Sequence, residues 1–215
     1  MKLTFLSPEQ LHQTHLCPPD QDTIHIYISR LEGRHHASSQ VLLRKILSLY
    51  LDCPADSISF GTGDHGKPYL LSWERGSSKK DTVSIQFNLS HSGDYGAFAF
   101  SSFGPVGIDI EKVRPRLRME PLVRRFFHPE EYTVFSGLDE KAQREFLFRK
   151  WTVREAFLKG LGTGLTLDPR SFCVADSGSS DLYSITKSQE DYSSWQIASV
   201  PAPADYFCSV AFLKP

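Results

Sequence analysis

The sequence lacks a long apolar run. None approaches the ~18 residues that a membrane-spanning helix needs. Residues 1–6 are too short for a secretory signal and carry no cleavage pattern. The expected place is therefore the cytoplasm, with no membrane partner. The sequence also lacks an excess of either charge: 24 Lys and Arg stand against 25 Asp and Glu, a net charge of −1. A protein held on nucleic acid by charge usually shows a basic surplus, so no nucleic-acid partner is expected. Cysteine is scarce. Cys17, Cys53, Cys173 and Cys208 lie far apart without a CxxC pair, which argues against a zinc site or a thioredoxin-like redox motif. In a reducing compartment they read as thiols. There is no short-period repeat and no low-complexity tract. The 215 residues suffice for one large domain or two small ones, with a core that needs no metal or disulfide staple.

Apolar periodicity then marks the elements. Strands are predicted at residues 24–28, 82–89, 95–101, 106–110, 195–200 and 206–213. A helix capped by Ser38 or Ser39 is predicted to run to about Leu51, where Leu42, Ile46, Leu49 and Tyr50 recur at helical spacing. Further helices are expected over 116–127, from His128-Pro129 onward, and over 140–159 with Gly160 as the stop. Residues 7–22 and 61–68 read as loops or turns, and 176–194 as a surface hairpin or loop. Strands and helices do not alternate regularly, so an α+β fold is expected rather than a doubly wound one. A boundary near residues 102–105 divides the chain into lobes of 1–103 and 104–215.

Four segments carry chemistry. In Gly107-Ile108-Asp109-Ile110-Glu111, side chains two apart share a strand face. Val106, Ile108 and Ile110 then point to the core, and Asp109 and Glu111 point together to the other side. Those acids are either a solvated polar face or hard oxygen ligands suited to Mg²⁺ or Mn²⁺. In the 140–159 helix, Glu155 and Lys159 stand four apart. They are either an exposed ion pair or a third carboxylate with a phosphate-neutralising lysine. Asn88-Leu89-Ser90-His91-Ser92-Gly93 follows a strand and is either an anion pocket or a polar turn. Gly66-Lys67-Pro68 is not a Walker A loop, since no Ser or Thr follows the lysine.

In order, GKP (66–68), FNLSHSGDYG (87–96), VGIDIEK (106–112), FFHPEEY (126–132) and FRKWTVREAFLKGLGTGL (148–165) resemble the Sfp-type 4′-phosphopantetheinyl transferases. The resemblance covers roughly residues 40–175. It implies an α+β fold of two pseudo-twofold α/β lobes with the site in the cleft between them. It implies a Mg²⁺-dependent, monomeric cytoplasmic enzyme that uses coenzyme A as co-substrate. The phosphopantetheine arm goes to a serine of an apo carrier protein of fatty-acid, polyketide or peptide synthetases, and adenosine 3′,5′-bisphosphate leaves. By the resemblance, Asp109, Glu111 and Glu155 hold the metal, with Mn²⁺ as the other candidate ion. Asp109, Glu155 and Lys159 are the catalytic residues. Glu155, or a water it orients, is the candidate base, and Lys159 contacts the phosphates. Gly66, Lys67, Pro68, Ser90, His91 and Lys159 bind coenzyme A, and Glu131 is a candidate site-lining acid. Arg114, Arg116, Arg118, Arg124 and Arg125 are either a solvated face or a surface for an acidic carrier.

The sequence departs from the family at two places. Only Ser29 to Ala37 separate the first predicted strand from the first helix, with Arg30, Arg34, His35 and His36 where a longer basic stretch is usual. Thr163 stands between Gly162 and Gly164 where lysine or arginine is common. Three rival readings stand beside the transferase: a catalytically weak or inactive module that binds coenzyme A or a carrier, a Mg²⁺-dependent hydrolase of nucleotides or coenzyme A, and a plain structural α+β domain.

Overall fold

The computed structural model describes residues 2–32, 35–72, 85–178 and 181–214. In chain order the elements are β1 (Lys2–Phe5), β2 (Thr23–Arg30), α1 (His35–Leu51), β3 (Ser59–Thr62), β4 (Pro68–Ser72), β5 (Gln86–Ser92), β6 (Tyr95–Ser101), β7 (Val106–Lys112), α2 (Met119–Phe126), α3 (Pro129–Ser136), α4 (Glu140–Leu161), β8 (Cys173–Asp176), β9 (Leu182–Thr186), β10 (Trp195–Ser199) and β11 (Tyr206–Leu213). Among the described residues no helix is long and apolar enough to cross a membrane.

Two sheets organise the chain. The first has the order β1-β2-β6-β5, with β1 parallel to β2 and the other pairs antiparallel. The second has the order β7-β11-β10-β9-β8 and is antiparallel throughout. β3 and β4 form a separate hairpin. The chain passes from one sheet to the other between Ser101 and Val106.

Alternation along β6 shows how the layers are built. Phe98 and Phe100 face α1 and pack with Leu43, Ile46, Leu47 and Tyr50. Ala97 and Ala99 face the second sheet with Ile24 and Ile26, and meet Val106, Ile108, Ile110, Val210 and Phe212. Small side chains thus stand where sheet meets sheet, and large ones where sheet meets helix. On its other face the second sheet is covered by α4 through Val153, Ala156 and Phe157, joined by Tyr183, Trp195 and Ile197. α2 and α3 lean on the first half of α4 through Val123, Phe127, Phe135 and Leu147.

The closest approach of helix to sheet lies at two glycines. A Cβ on Gly107 would come within 2.0 Å of the Ala156 carbonyl oxygen and 2.3 Å of the Gly160 nitrogen. A Cβ on Gly160 would meet the Trp195 ring at 2.6 Å. α4 therefore rests on β7 backbone to backbone. This sets its register two residues from Asp109 and one from Lys159.

Several elements differ from the sequence expectation, each for a local reason. α4 runs past Gly160 because that glycine serves the contact with Gly107 and Trp195. The helix ends instead at Gly162, whose φ of 75° is the left-handed conformation that glycine tolerates. α1 begins at His35 rather than near Ser38, and the Ser38 hydroxyl donates to the Glu32 carbonyl. α2 is confined to Met119–Phe126. The 61–68 stretch joins a hairpin, with Gly66 turning at φ 82°. β1 and β8, each four residues long, are too short to show a period. β5 begins at Gln86 and continues through Ser92. Residues 82–84 of its predicted span, like 179–180 of the 176–194 segment, lie outside the described residues.

Replacing Gly107 with alanine would push α4 off β7. The expected loss is about 1–3 kcal/mol. It is read as a lowered thermal midpoint, and an unchanged midpoint would contradict the close approach.

Candidate active site

β5 and β7 are the facing edge strands of the two sheets. No backbone ladder joins them; side chains of β5 do. Asn88 Oδ1 accepts from the Ile108 N–H at 2.9 Å, and Ser92 Oγ accepts from the Lys112 N–H at 3.1 Å. Edge-strand donors that a buried seam would otherwise orphan are thereby satisfied. The residue between these two, Ser90, donates to Asp109 Oδ1 at 2.8 Å, and Ser92 donates to Glu111 Oε2 at 2.8 Å.

Asp109 and Glu111 share one face of β7, as their spacing predicts, and α4 packs on that face. α4 brings Glu155 and Lys159 onto the same ground. Lys159 Nζ donates to Asp109 Oδ1 at 2.6 Å and to Ser90 Oγ at 2.9 Å. Asp109 is only 3% exposed, and its second oxygen, Oδ2, is buried with no hydrogen-bond partner among the described residues. Behind it, Thr152 and Ser209 share a buried hydroxyl contact at 2.9 Å, with Ser209 opposite Asp109 in the β7–β11 register.

Electrostatics mark this cluster as short of positive charge. Burial first, and then the Asp109 charge, raise the Glu111 carboxyl above its ordinary value. The same two causes raise Glu155. Lys159 works against both shifts, with help from Arg114 at Glu111 and Arg154 at Glu155, and does not cancel them. Three carboxylates with an orphaned buried oxygen are a hard, all-oxygen donor set, and they fit a divalent cation such as Mg²⁺.

A cavity of about 240 Å³ opens beside the cluster. Its lining includes Gly66, Lys67 and Pro68 from the hairpin, Asn88 from β5, and Lys159 and Gly162 from the end of α4. The structure thus brings Asp109, Glu111, Glu155, Lys159 and Ser90 into one cluster, with Gly66 and Pro68 beside it. His91 is not brought in: it alternates to the opposite face of β5 and is exposed. Lys67 lines the cavity, and its ammonium is engaged by backbone. It donates to the Val106 and Gly160 carbonyls at 3.1 and 3.0 Å.

Glu131 requires a correction. It does not line this site. It is buried and paired with Arg154 at 2.5 Å, and it accepts from the Val174 and His128 N–H groups. Arg154, fully buried between the Phe127 and Phe172 rings, is the reason an acid must be there. A second set of potential ligand atoms, from His128, Glu130 and Cys173, lies within 4.8 Å of one another. Two of these groups are already engaged: His128 Nδ1 accepts from the Glu130 N–H, and Glu130 pairs with Lys187.

Sequence reading missed Asn88 and Ser92 as partners of β7. The signal was present, because Asn88, Ser90 and Ser92 recur at i, i+2 and i+4 and so share one strand face. The Thr152–Ser209 contact carries no such signal, since it depends on the β7–β11 register.

Two predictions follow from the charges. The folded chain retains protons on Glu111 and Glu155 above 4.5, their ordinary value, where the unfolded chain has released them. These acids are neutral to stability below that value and become a penalty as pH rises through their raised folded values. Mg²⁺ is therefore expected to raise the thermal midpoint more at about pH 8 than at about pH 5. Glu155→Gln should raise the metal-free midpoint at the higher pH and weaken the Mg²⁺ response. A Mg²⁺ response equal at both pH values would contradict this. Glu131→Ala strands the buried Arg154 charge and should cost about 3–5 kcal/mol. Denaturant unfolding measures that loss, and a loss under about 1 kcal/mol would contradict the burial of the pair.

Comparison with known proteins agrees with this geometry. Residues 105–211 match the family model described as the 4′-phosphopantetheinyl transferase superfamily. Residues 7–102 match the model described as 4′-phosphopantetheinyl transferase, N-terminal. The 4′-phosphopantetheinyl transferase Sfp of Bacillus subtilis is 30% identical over 80% of this chain and 67% of its own length. The L-aminoadipate-semialdehyde dehydrogenase-phosphopantetheinyl transferase of Rattus norvegicus is 27% identical over 92% of this chain and 67% of its own. Both halves of the chain, and the strand and helix that carry the acidic cluster, therefore fall within one family: the protein belongs to the 4′-phosphopantetheinyl transferase superfamily.

Proposed function

We propose that this chain transfers the 4′-phosphopantetheine arm of coenzyme A to a serine hydroxyl of an apo carrier protein, with Mg²⁺ as its metal. The observation that carries this reading is the buried, unpartnered Asp109 Oδ2, in a chain of this superfamily, beside two acids whose carboxyls are raised for want of positive charge. The chain is proposed to act as a cytoplasmic monomer. Its 1–103 and 104–215 lobes flank the site from both sides, so one copy suffices.

Asp109, Glu111 and Glu155 would hold the ion. A divalent cation there offsets charge on the pyrophosphate and on the departing phosphate. The residues of the chain supply the rest. Asp109 divides its work: Oδ1 fixes Lys159 and Ser90, and Oδ2 is left for the metal. Lys159, with two donors so anchored, keeps its third for a phosphate oxygen and stabilises the leaving group. Glu155, with its raised carboxyl, or a water it orients, takes the serine proton. The serine oxygen bonds to the β-phosphorus, and the bond from that phosphorus to the bridging oxygen breaks. That oxygen leaves with adenosine 3′,5′-bisphosphate.

The cavity lined by Gly66, Pro68 and Lys159 is assigned to the nucleotide end of coenzyme A. Gly66 turns the hairpin beside it at φ 82°, a conformation that favours glycine. Ser90 holds Lys159 at its edge, and His91 stands outside it near the turn. Arg114, Arg116, Arg118 and Arg125 are exposed beyond β7 and suit an acidic carrier. The carrier is one of a fatty-acid, polyketide or peptide synthetase.

The test is to incubate the protein with coenzyme A, Mg²⁺ and apo carrier proteins and weigh the carriers. Gain of one arm is expected, abolished by EDTA and lowered on the order of 100-fold or more by Asp109→Ala or Glu155→Ala. Consumption of coenzyme A with no gain on any carrier would overturn the transferase in favour of hydrolysis. Binding of coenzyme A without product would overturn it in favour of a binding module.

A further inference from the structure

Lys67 belongs to a hairpin of the first half of the chain, yet its ammonium ends in the second. The hairpin fixes its backbone, since the Lys67 carbonyl accepts from the Gly63 N–H at 2.9 Å. From there the side chain crosses to the Val106 carbonyl at 3.1 Å and the Gly160 carbonyl at 3.0 Å. Val106 opens β7, and Gly160 lies in the last turn of α4. These are the two segments that touch backbone to backbone at Gly107 and Gly160.

Carbonyls in the last turn of a helix have no partner within the helix, and a cation there is favoured by the helix dipole. The Lys67 ammonium fills that place from outside. Lys67 also borders the neighbouring cavity. Burial pushes the Lys67 amine down to about 8. Two of its three donors are thus committed to backbone carbonyls of two different elements.

We infer that Lys67 is a positioning residue that ties the end of α4 to the start of β7 and so fixes Lys159 and Glu155, rather than a ligand of the coenzyme A phosphates. Gly160 follows Lys159 directly, and Glu155 lies one turn before Lys159. A shift at the Gly160 carbonyl therefore moves both reacting groups together.

This inference rests on the proposed transfer reaction, and one of its two readouts does not. Lys67→Met keeps the stem and removes the donors. Without substrates, amide exchange over residues 157–163 should quicken relative to the native chain. In the carrier assay kcat should fall about ten- to a hundredfold. KM for coenzyme A should stay within about threefold. If Lys67→Met does not fold, Lys67→Arg, which keeps donors at similar reach, is measured in its place; it should show the same kcat-weighted loss with partial protection of the helix end. A rise of tenfold or more in KM with kcat unchanged, and exchange as in the native chain, would overturn the inference and restore Lys67 as a phosphate ligand. Failure of the native chain to modify any carrier would count against the transfer reaction alone, and the exchange measurement would still decide the clamp.

Discussion

The structure depends on a seam between two edge strands joined by side chains instead of a ladder. β5 and β7 close separate sheets, and a continuous backbone ladder would have merged them into one. Asn88 and Ser92 take the Ile108 and Lys112 N–H groups, so these two donors of the β7 edge are satisfied. The same seam places Ser90 and Ser92 against Asp109 and Glu111. Joining the halves and orienting the acids are thus one set of hydrogen bonds. A buried polar network of this kind is favourable only when its members are satisfied. Here one oxygen, Asp109 Oδ2, is not.

That exception has a counterpart on the other side of α4. Glu131 and Arg154 are buried as a pair, and Glu131 divides its two oxygens among the guanidinium and two backbone N–H groups. One helix therefore carries two solutions to buried charge. Toward α3 and β8 the charge is matched, and the result is structure. Toward β7 it is under-matched, with Lys159 against three acids, and the raised carboxyls of Glu111 and Glu155 record the imbalance. A protein keeps such an imbalance where a bound cation can relieve it.

Much of this was legible in the sequence because it rests on periodicity. Strict alternation placed Asp109 and Glu111 on one face of β7, and the spacing of four placed Glu155 beside Lys159. Positions that depend on long-range packing were not legible. FFHPEEY offered Glu131 as a site acid, and only the burial of Arg154 shows why that acid is structural. Gly160 looked like a helix stop, because a glycine needed for a close approach and a glycine needed for a turn look alike in one dimension. Gly66-Lys67-Pro68 gave no sign of what the lysine side chain would touch. Its two carbonyl partners are 39 and 93 residues away along the chain, beyond the reach of any local pattern.

The central claim is that the orphaned oxygen of Asp109 is kept for a divalent ion. The most direct measurement is anomalous diffraction from crystals grown with Mn²⁺ and coenzyme A. The account predicts a manganese peak in contact with Asp109 Oδ2 and with the carboxylates of Glu111 and Glu155, absent in Asp109→Asn crystals grown alongside. A peak at His128, Glu130 and Cys173, with none at Asp109, would contradict it.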